Sequence, residues 1–357
     1  MYQALYRSFR PETFDTLIGQ EHIVKILKSQ IESGSVGHAY IFCGTRGTGK
    51  TTTARLLAKA LNCTSEKDRP CGECEACKAI AAGNFIDVIE MDAASNNGVD
   101  DIRSLRDEVN FPPVVGRTKV YIIDEAHMLS GAAANAFLKT LEEPPANTVF
   151  ILATTEPNKL PATILSRCIR LDFKRVSEAV LKERFAAICK EIGVEATDDA
   201  LSLIASNADG SVRDGLSLLD RCVSGTKKLT RDDVLFLLGV ASIESFIDLT
   251  DAVLDHNASK ALSVLSNILS EGKEALQITR DWVEHFRNLM IIRYSDSPEK
   301  VLNLSLENIE RLKAQSQRID VEGLSKCITK LSSTINEARW APKPRILLEL
   351  AIIELCQ

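Results

Sequence analysis

The sequence predicts an α/β domain built on a five-stranded parallel sheet, followed by a small helical unit and then a larger helical one. Three observations lead there. Short apolar runs rich in Ile, Val, Phe and Tyr alternate with helical patterns through the first half of the chain. These runs, 5 to 8 residues long and without strict alternation, suit strands buried on both faces of a parallel sheet with helical crossovers. After about Phe173 the strand runs stop and helical spacing takes over.

The five runs are AYIFC (39–43), FIDVIEM (85–91), KVYIID (119–124), TVFILATT (148–155) and CIRLDF (168–173). SEAVLKERFAAICKEIG (177–193), DDALSLIASNADG (198–210) and SVRDGLSLLDRCVSG (211–225) make the small helical unit, each ending near a Gly or Asn. Amphipathic helices continue from about Ser242 to Gln357, with a break at APKPR (341–345). The expected divisions are therefore 1–178, 179–241 and 242–357.

A length of 357 residues, 45% hydrophobic and 26% charged, is that of a soluble globular protein with two or three domains. The first ten residues, MYQALYRSFR, lack an apolar signal-peptide core, and no apolar run approaches the roughly 20 residues that span a bilayer. A cytoplasmic location with no membrane partner is expected. The net charge of −6 excludes a whole-surface nucleic-acid binder, but leaves open a local basic face or helix N-termini.

Gly44-Thr45-Arg46-Gly47-Thr48-Gly49-Lys50-Thr51 fits the phosphate-loop pattern GxxxxGK[ST]. It follows an apolar strand and precedes the helix-prone TTTARLLAKAL, which is the context the motif requires. The glycines let backbone N–H groups wrap phosphates at a helix N-terminus, Lys50 meets the β and γ phosphates, and Thr51 ligates Mg²⁺. KVYIID then ends in Asp124-Glu125-Ala126-His127. Asp124 is placed to hold Mg²⁺ and Glu125 to orient water; paired acids at a strand end are otherwise solvated loop residues. DEAH also marks helicases, yet no further βα series follows to form the second motor domain they need. His127 reads as a packing or hydrogen-bonding residue. Thr154 and Thr155 end the fourth strand, where a hydroxyl could touch the attacking water or simply be structural. Arg167, in Ser166-Arg167-Cys168, is either a surface ion-pair residue or an arginine finger acting on a neighbour's nucleotide.

Six of the ten cysteines (Cys43, Cys168, Cys189, Cys222, Cys327, Cys356) are scattered among apolar neighbours. The other four, Cys63-x7-Cys71-x2-Cys74-x2-Cys77, supply the thiolates of a closed tetrahedral Zn²⁺ site with no open position for catalysis. A CxxC redox pair and an iron–sulfur cluster are the rival readings.

Taken in order, YRSFRPETFDTLIGQEHIVKIL, GTRGTGKT, DEAHML, ATTEPNKLPATILSRC and GSVRDGL resemble the gamma/tau subunit family of bacterial DNA polymerase III, ATPases of the AAA+ superfamily. The likeness is densest up to Cys222 and mainly helical beyond it. It implies an AAA+ P-loop domain, a small helical lid and a C-terminal helical collar domain. It also implies the motor of a clamp loader, a pentameric ring that uses ATP to open the sliding clamp and grip primer–template DNA. The implied partners are delta, delta-prime and further gamma/tau copies. In that family a zinc module lies where the four cysteines lie. The resemblance further assigns Thr155 to sensor 1, Arg167 to a trans finger, and Arg213 of GSVRDGL to sensor 2, reading the γ phosphate in cis. It assigns Tyr6, Arg10, Pro11 and Ile18 to the adenine wall. AASNNGVDDIR (93–103) falls where the family contacts DNA, offering Ser95, Asn96 and Asn97 before a helix but no cation at its tip.

A nucleotide-dead stator of the same loader keeps the zinc module but loses the P-loop, so the intact Gly49-Lys50-Thr51 and Asp124-Glu125 favour the motor. A hexameric branch-migration motor is disfavoured by the cysteine insertion and by the helical C-terminal domain in place of a winged helix. The family's extension that tethers polymerase and replicative helicase is not expected within these 357 residues.

Overall fold

The five apolar runs become strands β1 (Ala39–Cys43), β2 (Val88–Asp92), β3 (Lys119–Asp124), β4 (Thr148–Thr154) and β5 (Ile169–Asp172), all parallel, in the order β2-β3-β4-β1-β5. The computed structural model describes residues 3–66, 68–96, 98–238, 243–270, 272–298, 301–302 and 306–357. Side chains alternate between two cores: Tyr40 and Phe42 point to one, Ala39, Ile41 and Cys43 to the other. Helices α1 (Leu5–Ser8), α2 (Glu21–Ser33), α3 (Lys50–Asn62), α4 (Glu75–Ala82), α5 (Val99–Val109), α6 (Gly131–Glu142) and α7 (Ala162–Leu165) accompany this sheet. Ile23 and Leu27 of α2 and Leu56 and Leu57 of α3 fill the first core. Ile102 and Leu105 of α5, Phe137 and Leu141 of α6 and Ile164 of α7 fill the second. The result is a three-layer α/β/α arrangement.

Burial on both faces holds for the inner strands, where every residue of β1 and β4 is buried, and fails at the edges. β2 and β5 each have one neighbour and are largely half-buried or exposed. FIDVIEM also starts its strand later than expected. The Val88 N–H closes a turn onto the Phe85 carbonyl at 3.0 Å, and the Asp87 carboxylate turns inward to accept from the N–H groups of Val114, Val115 and Gly116.

The small helical unit is α8 (Glu178–Ile192), α9 (Asp198–Asn207) and α10 (Val212–Val223), with Gly193 in the left-handed conformation closing α8. It also contains a parallel pair, β6 (Glu195–Ala196) with β7 (Lys228–Leu229), too short to leave a pattern in the sequence. Two compact units result, Met1–Arg231 and Asp232–Gln357. The expected division at 178/179 falls in the first turn of α8, and that at 241/242 lies outside the described residues.

After α11 (Arg231–Leu238), the second unit consists of α12 (Ile243–Leu254), α13 (Ala258–Ser270), α14 (Ala275–Tyr294), α15 (Leu306–Ser316), α16 (Val321–Ala338) and α17 (Pro344–Leu355). Its core surrounds the fully buried Trp282, whose indole N–H donates to the Thr250 hydroxyl at 2.9 Å. Pro344, at the first turn of α17, sets the break expected at APKPR. Among the described residues no helix is long and apolar enough to cross a membrane.

Candidate functional site

Between the end of β1 and the start of α3 the backbone must turn sharply and pass beneath another element. Gly47 does both: its φ is 76°, and a Cβ there would lie 1.9 Å from the Ser211 hydroxyl at the N-cap of α10. Lys50 opens α3 and folds back, its ammonium donating to the carbonyls of Gly44 (2.8 Å) and Thr45 (2.9 Å). Burial lowers its pKa, opposed by Glu125 and then Asp124, so this cation sits partly desolvated, with no salt bridge to it found among the described residues. The Thr51 hydroxyl donates to Asp124 Oδ2 at 2.7 Å, bringing together the two oxygens expected to share Mg²⁺.

Asp124 ends β3, and β4 lies between β3 and β1. The acid pair, the phosphate loop and the end of β4 therefore share one rim of the sheet, where open α/β sheets bind ligands. Glu125 adopts a φ of 48°, and its N–H donates to Asp124 Oδ1 at 3.0 Å. The Thr155 hydroxyl donates to Glu125 Oε2 at 3.4 Å, whereas Thr154 is fully buried and lies 3.1 Å from His127 Nδ1.

These groups open onto a cleft of about 710 Å³. Tyr6, Arg10, Pro11, Ile18, Arg46, Gly47, Thr48, Gly49, Lys50, Thr51, Asp124, Glu125 and Arg213 all line it, while Gly44 and Thr45 lie behind, holding Lys50. The Arg213 guanidinium stands 5.4 Å from the Tyr6 ring centroid, and its backbone N–H donates to the Gly47 carbonyl at 3.4 Å. Arg167 is not among the described lining residues. It pairs with Glu142 at 2.7 Å and donates to the Thr163 carbonyl at 2.8 Å.

Arg55, Glu90, Thr52 and Arg184 also line the cleft and were not expected. Arg55 grips Glu90 through two bonds of 2.7 and 2.8 Å, and Arg10 donates to the Thr52 hydroxyl at 3.1 Å. Arg55 lies four residues past Thr51 on one helix face, a spacing that points to it; Arg184, on α8, leaves no such signal. Burial, then the nearby Arg55, lowers the Arg10 pKa to about 10. Seven basic and three acidic described side chains line the cleft, a surplus suited to a polyanion.

The four cysteines form the candidate metal centre found among the described residues. Their sulfurs lie within 4.8 Å of one another, against about 3.8 Å for thiolates at tetrahedral Zn²⁺. Backbone N–H groups of Cys71, Cys74 and Cys77 point at the sulfurs of Cys63 (3.5 Å), Cys71 (3.4 Å) and Cys74 (3.5 Å). Burial opposes ionisation of Cys74, but the N–H groups of Thr64 and Cys77 bring its pKa down to about 6, whereas burial pushes that of Cys77 up. The donor set fits zinc.

In the 93–103 segment, Asn96 folds back onto the Asp92 carbonyl through its N–H (2.9 Å) and amide (3.1 Å), and Ser95 does so through its N–H (3.1 Å). Asn97 lies outside the described residues.

A phosphate loop under a helical lid, with a strand-end acid pair two strands away in a β2-β3-β4-β1-β5 sheet, defines a P-loop protein of the AAA+ class. Family models agree: DNA polymerase III, delta subunit, matches residues 19–177; the clamp loader subunit ATPase lid domain, 180–227; and gamma and tau domain III, 229–357. The chain is 44% identical to DNA polymerase III subunit tau of Bacillus subtilis, covering 100% of this chain and 63% of that protein. It is 36% identical to DNA polymerase III subunit gamma of Buchnera aphidicola, covering 99% of this chain and 98% of that protein. A variant of Thermotoga maritima RuvB shares the fold, with a TM-score of 0.50, 21% identity, and coverage of 69% and 80% of the two chains. The chain belongs to the gamma/tau subunit family of DNA polymerase III. It spans about half to two thirds of the length of the tau relatives it matches.

Proposed function

We propose that this chain is the ATP-hydrolysing motor subunit of a bacterial clamp loader, which places the sliding clamp on primer–template DNA during replication. Delta, delta-prime and further gamma/tau copies complete the hetero-oligomer, in the cytoplasm. Residues 1–178 serve as the ATPase domain, 179–241 as its lid, and 242–357 as the collar that joins subunits. The observation that carries this reading is the convergence of Lys50, Thr51, Asp124 and Glu125 on one rim, with Thr51 and Asp124 already 2.7 Å apart. A nucleotide-dead stator would have no use for that arrangement.

Lys50, relieved of its carbonyl contacts, turns to the β and γ phosphates, and the backbone of Gly44–Thr51 wraps them. Thr51 and Asp124 hold Mg²⁺, which when bound neutralises phosphate charge. Glu125 orients the attacking water with Thr155 beside it, Arg213 reads the γ phosphate from the lid, and Arg167 acts on a neighbour's nucleotide. Tyr6, Arg10, Pro11 and Ile18 face the base. Cys63, Cys71, Cys74 and Cys77 hold Zn²⁺ for structure, with no part in hydrolysis.

Two substitutions test the proposal. Lys50→Ala abolishes ATP binding. Arg167→Ala keeps binding within about two-fold but lowers hydrolysis on the order of 10³-fold, and only when the loader is assembled with clamp and primed DNA. If unassembled Arg167→Ala and unassembled parent differed in rate, the trans assignment would be wrong.

A further inference from the structure

His127 is a side chain that nucleotide chemistry does not call for, yet it is buried beside Glu125 and the end of β4. Its ring is only 8% exposed. Nδ1 lies 3.1 Å from the Thr154 hydroxyl and 3.5 Å from Glu125 Oε2, and Nε2 lies 3.6 Å from Glu156 Oε1. Thr154 is fully buried at the end of β4 and accepts the Glu156 N–H at 3.0 Å, so the imidazole rests on a fixed point. Glu125 is held at longer range. It follows β3 in a left-handed conformation (φ 48°), and its carboxylate is reached by just two described side chains, Thr155 at 3.4 Å and His127.

We infer that His127 is a positioning residue: through an Nδ1–H shared between the Thr154 hydroxyl oxygen at 3.1 Å and Glu125 Oε2 at 3.5 Å, it ties the Glu125 carboxylate to the end of β4 and so aims it at the attacking water. The inference rests on Glu125 being the water-orienting group. Positioning matters because a carboxylate free to rotate spends most of its time away from a water that must be met at about 3 Å. Since β4 adjoins the phosphate-loop strand β1, the tie also fixes Glu125 relative to the bound phosphates. The role belongs to one nitrogen. An Asn amide reproduces the Cγ–Nδ1 half of the imidazole, whereas a Gln amide reproduces the Nε2 end and reaches past Thr154.

The test uses the full chain assembled with its loader partners, clamp and primed DNA, and reads nucleotide Kd, kcat and thermal unfolding. His127→Ala binds nucleotide within two-fold of the parent and loses roughly 10- to 100-fold in kcat. His127→Asn recovers most of that loss and His127→Gln does not. In a Glu125→Gln background, adding His127→Ala slows turnover no further, because the two side chains act as one unit. Parent-like kcat in His127→Ala, equal losses in the Asn and Gln variants, or additive losses with Glu125→Gln would each overturn the inference while leaving the ATPase reading intact. If His127→Ala does not fold, the Asn and Gln pair decides. A parent that fails to hydrolyse ATP under these conditions overturns the ATPase reading itself, and this inference with it.

Discussion

Asp87 is 1% exposed and carries a charge that water cannot reach, so its neighbours must supply what solvent would. They do so with three backbone N–H groups, from Val114 (2.8 Å), Val115 (2.7 Å) and Gly116 (2.6 Å). Asn62 continues the pattern, its Oδ1 accepting from Arg117 (2.9 Å) and Thr118 (3.0 Å). Burial by itself would raise the Asp87 pKa, but the N–H groups of Gly116, Val114 and Val115 outweigh it and hold the carboxyl below its ordinary value. A depressed folded pKa adds stability that is complete above the unfolded value and is lost as pH falls through the folded one. Asp87→Asn leaves one oxygen for three donors and turns an amide N–H₂ toward them, which costs about 1–3 kcal/mol at neutral pH. Urea unfolding of parent and variant should show that gap at pH 7 and its closure below about pH 4; a constant gap across that range would show that Asp87 is not held as the anion. None of this was legible in the sequence. No local pattern in FIDVIEM marks its acid as buried and bonded, and its donors lie 27 to 29 residues further on. Lys50, Thr51 and Asp124 were legible because their chemistry is coded by local spacing beside strands.

Elements divide along the same line. β1, β3 and β4 were read at nearly their true bounds because burial on two faces demands an unbroken apolar run. The edge strands were read with looser bounds, β2 three residues too early at its start and β5 one residue too long at each end, and β6 with β7 escaped, because these strands bury too little to constrain their composition. The cysteine insertion was read as a metal module and its four sulfurs do converge, but its relation to the nucleotide cleft was not legible. Cys74 caps α4 and Cys77 lies in its first turn, while Ala81 and Ala82 at its far end line the cleft. An eight-residue helix is too short to hold itself, so α4 depends on Ile80 packed into the sheet core at one end and on the sulfur cluster at the other. Chelation, or Cys71→Ser, should raise hydrogen exchange across residues 63–83 while the amides of β1, β3 and β4 stay protected. Nucleotide Kd should weaken by less than about ten-fold, since Lys50 and Thr51 are held by α3 and Asp124 by β3. Unchanged exchange in 63–83 would mean that α4 is held by its packing instead.

At the scale of the whole chain, Met1–Arg231 and Asp232–Gln357 each enclose their own core, and every described cleft residue belongs to the first. A ligand stabilises only the cooperative unit that it binds in the folded state. Calorimetry of the full chain should therefore resolve two transitions, with a non-hydrolysable ATP analogue and Mg²⁺ raising one and leaving the other in place. At a hundred times Kd the gain is about 2.7 kcal/mol, which for a unit of this size moves the midpoint by roughly 5 to 10 °C. The direction has a local cause. Lys50 and Arg10 sit partly desolvated in a cleft whose described cations outnumber its described acids, so a polyphosphate supplies the countercharge that burial makes scarce. Lys50→Ala should abolish the shift without moving the second transition. If the analogue instead raised both transitions together, the two units would unfold as one, and the second unit would sense the nucleotide through the chain.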